Sequence, residues 1–173
     1  MLKPLQGTYP PYLDNYIHLV AENDVLSALK AQEPIIQNFF KNISEAQSNI
    51  AYAEGKWTIK ELLQHCIDTE RIFCYRALCF ARKESASLPG FDENKYTFIS
   101  NANTRKWEEI CKEMAAVRNS TTCLFESFTD EMLTQSGLAN HSPVTVIAIG
   151  FACVGHLYHH KKVIEEKYLV TTQ

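Results

Sequence analysis

The sequence lacks any concentration of positive charge. Its 173 residues include 17 Lys and Arg against 20 Asp and Glu, a formal net charge of −3, and the two signs are interspersed. Proteins that bind nucleic acid or an anionic membrane neutralise phosphate groups with clustered basic side chains. We therefore expect neither kind of partner.

Long hydrophobic runs are also missing. A helix needs roughly 18 consecutive apolar residues to cross a bilayer. The longest candidate, residues 144–157, is shorter and leads into His159, His160 and two lysines. The first residues, Met-Leu-Lys-Pro, lack the apolar core of a secretion signal. These absences predict a cytoplasmic protein.

The six cysteines include no Cys-x-x-Cys pair, which is the spacing typical of redox and zinc motifs. All six lie in apolar stretches with a helical pattern, so we interpret them as free, buried thiols that pack as small hydrophobic groups. Without a sign of secretion, a disulfide framework is not expected.

Glycine and proline are scarce, with six of each, and they mark breaks between long periodic segments. Sustained alternation of apolar and polar residues is missing, as is an Asn-Gly or Asp-Gly hairpin turn, so strands are not expected. The pattern predicts one all-helical domain over residues 1–173, folded as a four-helix bundle. The predicted helices are a short one at 12–21 and four long ones at about 24–42, 58–82, 103–128 and 142–168.

Several helix ends carry recognisable signals. Asp24 fits the N-cap of the first long helix, and Thr58-x-x-Glu61 fits a capping box at the start of the second. The Ser142-Pro143 pair fits N-cap and N1 of the last helix. Pro34 predicts a kink or break within the first helix. The loops predicted at 83–100 and 129–141 are long enough for one of them to cross the bundle.

Two histidines of the last helix have the spacing of a metal-binding pair. His156 and His160 stand at i and i+4, which places their Cβ atoms about 6 Å apart on one helix face. The same face carries Ile149, Ala152 and Val163, so it is predicted to point into the bundle. Buried imidazoles without a polar partner are costly, and a shared metal ion would satisfy both.

His65 in the second long helix is the candidate for a third ligand. Asp68, at i+3, could orient its ring or lie near the metal. Three neutral imidazoles would leave the ion with open positions for water or substrate, as is typical of catalytic rather than structural sites. Zinc, nickel or iron would accept these ligands.

The sequence also allows other ligands, and a structural role for the histidines. His159 is a rival ligand at i+3 from His156, and Cys153, at i−3, is a possible soft ligand. The histidines could instead be structural, satisfied by hydrogen bonds to one another, to Asp68 or to water. His18 and His141 have the character of surface or loop residues.

Two segments together resemble one protein family. Residues 55–71, GKWTIKELLQHCIDTER, are similar to the W-[ST]-x-x-E-[LV]-L-x-H-x-x-D-x-E segment of the DinB/YfiT-like four-helix bundles. Residues 155–160, GHLYHH, match that family's closing G-H-x-x-x-H signature, and residues 75–78 and 88–94 resemble one of its branches. The resemblance implies an up-down-down-up bundle with a long crossover, often paired as a homodimer. It also implies metal ligands at His65, His156 and His160, in preference to His159.

The resemblance implies several activities. Some family members resemble thiol S-transferases that use a low-molecular-weight thiol, and others resemble metal-dependent isomerases or hydrolases. We therefore expect an enzyme that acts on a small molecule through one divalent metal ion. In it, Asp68 or Glu70 would orient a ligand or move a proton, and Arg71 would contact an anionic group. The alternative for Glu70 and Arg71 is a solvated helix face with local ion pairs.

Two functions without catalysis are also consistent with the sequence. The bundle could bind a metal or a small ligand without turnover, with Trp57, Phe73 and Tyr158 as candidate pocket aromatics. It could also be a purely structural or interaction protein, in which the histidines are part of a polar core.

Overall fold

The computed structural model describes residues 3–169, so the two ends of the predicted domain lie outside the described residues. Within them the chain is mostly helical, with one small hairpin. The helices are α1 Asp14–Ile17, α2 Val25–Lys41, α3 Glu45–Ser48, α4 Ile59–Ala81, α5 Glu93–Ile99, α6 Trp107–Glu126, α7 Asp130–Thr134 and α8 Val146–Val163. The strands are β1 Ser136–Ala139 and β2 Ser142–Thr145, short 3-10 turns cover Pro11–Leu13 and Ala102–Thr104, and a π-helical turn, Ile164–Tyr168, extends α8.

Two of the predicted helix starts are confirmed by their caps. The Asp24 carboxylate accepts a hydrogen bond from the Ser27 backbone N–H at 2.8 Å. At the start of α4 the capping box is complete, because Thr58 Oγ1 accepts from the Glu61 N–H at 3.1 Å and Glu61 Oε2 accepts from the Thr58 N–H at 2.8 Å. Each cap satisfies N–H groups that have no partner within the helix.

The prediction for the start of the last helix was wrong. Ser142 and Pro143 belong to β2, which pairs antiparallel with β1, and the N-cap of α8 is Thr145. The two predicted loops also contain helices, α5 in the first and α7 in the second. Of the kink or break predicted at Pro34, the break is not found, since α2 runs continuously through that residue. The short helix expected at 12–21 ends earlier, at Ile17.

The four long helices α2, α4, α6 and α8 form the bundle. Helix α4 packs on α6 and α8, and α2 packs on the same two helices. Helices α6 and α8 therefore occupy opposite corners, as do α2 and α4. None of the described helices is both long and apolar enough to span a membrane.

A polar layer separates two hydrophobic clusters in the core. One cluster surrounds Phe151 and the other surrounds Leu63. Between them, Arg118 donates to Glu70 through Nε at 3.0 Å and through Nη2 at 2.8 Å. Thr121 donates its hydroxyl to the same carboxylate at 2.7 Å. This buried ion pair joins α4 to α6 in the middle of the bundle.

The cysteines lie in helices, as predicted, but they differ in exposure. Cys66 and Cys153 are buried, whereas Cys123 is exposed. All six are free thiols. The expectation of uniform burial was therefore wrong for Cys123, which lies on the outer face of α6.

Candidate metal centre

Helices α4 and α8 bring three histidines together. His156 Nε2 lies 3.1 Å from His65 Nε2 and 3.0 Å from His160 Nε2. One ring nitrogen from each of the three lies within 4.8 Å of the other two. His65 is near the start of α4, while His156 and His160 occupy successive turns near the end of α8. The spacing predicted from the sequence therefore corresponds to a compact cluster.

The three nitrogens suit a shared cation better than hydrogen bonds alone. A neutral imidazole nitrogen carries either one proton or one lone pair, so His156 Nε2 can pair well with only one of its two neighbours at a time. A metal ion instead accepts a lone pair from each ring. Two nitrogens that each lie about 2.1 Å from one ion are at most about 4.2 Å apart, and the two short pairs here meet that limit.

Burial keeps these rings uncharged. Removal from water lowers the pKa of His65 to about 4 and that of His160 to about 3. The pKa of His156 is also well below its usual range, first through burial and then through the neighbouring rings of His160 and His65. Since a neutral imidazole offers the lone pair that a metal requires, the cluster is a set of ready ligands at neutral pH.

Aromatic side chains pack against two of the three rings, those of His65 and His156. The Tyr16 ring from α1 meets His156 edge-on, with centroids 5.2 Å apart, and Trp57 lies 4.9 Å from His65. Phe73, two turns along α4 from His65, lies 6.3 Å from His156. These contacts come from three different segments, so the ring positions depend on the packed fold.

The remaining histidines lie outside the cluster. His159 packs edge-on against Tyr16, at a centroid distance of 5.4 Å, and is half-buried. His18 and His141 are exposed, as expected. Cys153, the other candidate ligand, is buried and is not part of the ligand group found in the described residues.

A cleft of about 370 Å³ opens beside the three histidines. Two of the three predicted pocket aromatics, Trp57 and Phe73, line it, whereas Tyr158 does not. The cleft is wide enough for a small molecule to approach the cluster. Its lining residues are Tyr12, Tyr16, Trp57, His65, Thr69, Phe73, Arg76, Gly90, Phe91, Glu93, Asn140, His156 and His160.

The three residues predicted to be catalytic do not line this cleft. Glu70 faces the opposite way, into the buried pair with Arg118, so it is neither in the cleft nor on a solvated helix face. Asp68 accepts a hydrogen bond from Gln64 Nε2 at 3.0 Å, and Arg71 pairs with a carboxylate of α6. Residues i+5 and i+6 from His65 project away from its face of α4, which explains the positions of Glu70 and Arg71. Asp68, at i+3, lies at the edge of that face and is paired with Gln64.

Sequence reasoning missed several polar residues of the cleft. Thr69 and Arg76 follow His65 at i+4 and i+11 on α4, so helical periodicity would have found them. Glu93 and Asn140 come from α5 and from the β1–β2 turn, which the sequence did not place. No local signal connects those two segments with the histidines.

Most of the chain matches a known protein family. The model of the DinB superfamily matches residues 28–164, which is more than half of the chain and includes all three histidines. The chain belongs to the DinB superfamily.

Similar proteins agree with this placement. A protein of Oceanobacillus iheyensis named "Putative metal-dependent hydrolase OB0413" is 25% identical over 95 residues, which are 55% of this chain. The match spans about half the length of that relative, 54%. YfiT from Bacillus subtilis, described as "a probable metal-dependent hydrolase with an unusual four-helix bundle topology", has a TM-score of 0.71 at 18% identity, over 95% of this chain and 90% of its own. A mycothiol-dependent maleylpyruvate isomerase has a TM-score of 0.67 at 10% identity, over 80% of this chain and 58% of its own. Because both identities are low, the two structures support the fold alone.

Proposed function

We propose that His65, His156 and His160 bind one divalent metal ion, and that the protein uses it as an enzyme acting on a small molecule. The observation that carries this proposal is the convergence of three neutral imidazole nitrogens at the wall of an open cleft. A structural site would be closed by a fourth protein ligand, whereas three ligands leave room for water or substrate. Among the described residues, no fourth side chain joins the group.

A divalent ion held there would lower the pKa of a bound water or thiol and so supply a nucleophile near neutral pH. The residues of this chain would do the rest. Trp57 and Phe73 would exclude water from one side of the ligand, and the Thr69 hydroxyl would offer a hydrogen bond, since it is buried without a partner among the described residues.

Hydrolysis is the reaction that we favour. Two similar proteins are described as metal-dependent hydrolases, and the fold and ligand set of this chain are compatible with that chemistry. Transfer of a low-molecular-weight thiol is the second candidate, supported by the structural likeness to a mycothiol-dependent isomerase. The two differ in whether a thiol co-substrate is required for turnover.

We infer further that the long helices run up, down, down and up. In support, Phe40 at the end of α2 packs on Trp107 at the start of α6, at a centroid distance of 5.7 Å, as antiparallel helices would. Arg105, just before α6, donates to Gln64 near the start of α4 at 2.6 Å, as parallel helices would. The histidine cluster joins the start of α4 to the end of α8, which makes that pair antiparallel.

Metal content tests the proposal most directly. Untagged protein grown with added zinc, nickel and iron should contain about one ion per chain, and His160→Ala should lose most of it. His159→Ala is the matched control, because it removes the adjacent ring that lies outside the cluster, and it should keep the metal. Less than about 0.1 ion per chain in the unmodified protein would contradict the proposal.

Turnover and assembly need separate measurements. Metal-loaded protein should hydrolyse members of an ester and amide panel, and His160→Ala should not. Turnover of an electrophile only when a thiol is added would favour thiol transfer instead. A homodimer in the cytoplasm is our further expectation, and light scattering after size-exclusion chromatography would detect the dimer.

A further inference from the structure

We propose that Arg76 binds the anionic group, a carboxylate or a phosphate, of the small molecule that occupies the cleft beside the histidines. This inference rests on the proposed function only in taking the cleft as the ligand site. It specifies the substrate class, which should be a small molecule with an oxyanion at the end remote from the reacting centre.

Arg76 is a buried cation without a carboxylate partner. Arg76 is 6% exposed and lines the cleft. Nη2 donates to the Pro89 carbonyl oxygen at 2.7 Å, and in the described part of the chain no carboxylate lies within 4.0 Å of its guanidinium. Burial lowers the pKa of Arg76, because the charged form loses hydration, and the nearby Tyr12 offsets this only in part.

Arg118 provides an internal comparison. It is also buried, and it has the two-pronged ion pair with Glu70. A buried charge is normally retained with such a partner, because desolvation is expensive. The alternative role for Arg76 is to anchor the loop at Pro89, which takes only one hydrogen bond. A guanidinium has five N–H donors. Its remaining donors are left for an anion in the cleft, which a planar guanidinium can bind through two parallel hydrogen bonds.

The position of Arg76 defines the ligand's shape. His65, Thr69, Phe73 and Arg76 follow one another along one face of α4. Arg76 is eleven positions after His65, which corresponds to roughly 16 Å of helix. The Thr69 hydroxyl, without a partner among the described residues, lies between the two ends. This order favours an elongated ligand with its reacting group at the histidines, an apolar part over Phe73 and its anion at Arg76.

The acidic residue of the cleft does not neutralise Arg76. Glu93 is exposed at the start of α5 and lies beyond salt-bridge distance from the guanidinium. Tyr12 and Tyr16 are the hydroxyl-bearing aromatic side chains of the lining. The part of the cleft at Arg76 is therefore positive, and a ligand with a neutral group there would leave the cation uncompensated.

The test compares a carboxylate with the neutral amide of the same shape, and it adds a phosphate probe. The full chain, both as isolated and after treatment with a chelator, is titrated with 4-phenylbutyrate, its amide and phenyl phosphate, and binding is followed by calorimetry or NMR shifts. We expect 4-phenylbutyrate or phenyl phosphate to bind about 10-fold more tightly than the amide, because a hydrogen bond between charged groups changes affinity by about this factor. The preferred acid identifies the anion as carboxylate or phosphate.

Arg76→Gln should weaken binding of the preferred acid by about 10- to 100-fold and leave the amide within about 2-fold. Arg82→Gln, which removes the same charge from the exposed end of α4, is the matched control and should change neither. Equal binding of acid and amide to the unmodified protein, or acid binding that survives in Arg76→Gln, would overturn the proposal. Because binding is also measured on chelator-treated protein, the test of the anion site does not depend on a bound metal. The anion-site proposal and the metal-site proposal can therefore fail independently.

Discussion

The backbone of Tyr16 lies against Gly155 so closely that a Cβ on the glycine would be 2.0 Å from the Tyr16 carbonyl oxygen. This contact seats α1 on α8 one residue before His156, and it lets the Tyr16 ring meet the His156 ring. The glycine of the G-H-x-x-x-H signature thus has a physical role, because it allows the segment that walls the metal centre to approach.

Gly155→Ala should therefore destabilise the protein by about 3 kcal/mol and weaken metal binding, since α1 must move away from α8. Unfolding by urea and metal titration would measure the two effects. Gly150→Ala is the comparison on the same helix. There the new Cβ would meet the side-chain atoms of Val25 and Phe125, at 2.5 and 2.6 Å, which can shift more readily than backbone. A smaller loss for Gly155→Ala than for Gly150→Ala would contradict this account.

Because Glu70 pairs with the buried Arg118 outside the cleft, we expect its substitution to lower stability without changing metal binding. Glu70→Gln leaves the Arg118 charge buried without its counter-ion, and loss of one partner of such a pair costs about 3–5 kcal/mol. The metal content should not change, because Glu70 lies outside the cleft. Urea unfolding and elemental analysis would check both statements.

Glu113→Gln is the matched control for that experiment. Glu113 pairs with Arg71 and Arg105 near the surface, where each ion pair is typically worth less than about 1 kcal/mol. If Glu70→Gln lost metal or activity while keeping its stability, this account would be wrong, and the role in the site predicted for Glu70 from the sequence would be supported.

Local signals were sufficient to predict much of this molecule. The caps at Asp24 and Thr58 act within one turn, and the i, i+4 spacing of His156 and His160 fixes their relative position on any helix. The burial of Glu70, by contrast, depends on Arg118, which lies 48 residues away. The local sequence around a carboxylate three turns into a helix is the same whether the residue faces solvent or a polar core. Only the distant partner distinguishes the two environments.

Ser142-Pro143 shows how one pattern can serve two structures. Serine followed by proline fits a helix start, but proline also fits a two-stranded ribbon, where an N–H is not needed on the outer edge. The pairing of β1 with β2 decided between them, and that pairing depends on a turn, Asn140-His141, that lacks the usual glycine.

The neutral histidines predict a stability that falls with acid. In metal-free protein the pKa values of His65 and His160 are about 4 and 3, against 6.5 for an imidazole exposed to water, as in the unfolded chain. Above pH 6.5 neither the folded nor the unfolded state takes up a proton at these rings. Between pH 6.5 and about 4 the unfolded chain binds protons that the folded state does not, so the free energy of unfolding decreases as the pH falls.

The slope is at most about 1.4 kcal/mol per pH unit for each histidine. Urea unfolding of chelator-treated protein at pH 7, 6 and 5 would measure it. His160→Ala should show a shallower slope, since one shifted group is removed. An equal slope in that variant would mean that His160 is not held neutral by the fold. Metal-loaded protein should in addition release its ion over the acid range, because protons compete for the same lone pairs.

The β1–β2 turn predicts a stabilising substitution close to the cleft. Asn140 and His141 both have positive φ, 49° and 63°, which is the conformation of a two-residue type I′ turn. Asparagine tolerates it, but histidine carries a Cβ penalty that glycine avoids. His141→Gly should therefore raise the free energy of unfolding by about 0.5–1 kcal/mol, measured with urea. His18→Gly, the same change at an exposed residue with φ of −67°, should lower it instead, because glycine adds freedom to the unfolded chain and removes the contact of His18 Nδ1 with the Asp14 carbonyl oxygen at 2.8 Å. A loss of stability in His141→Gly would show that the imidazole makes a stabilising contact that outweighs the backbone strain.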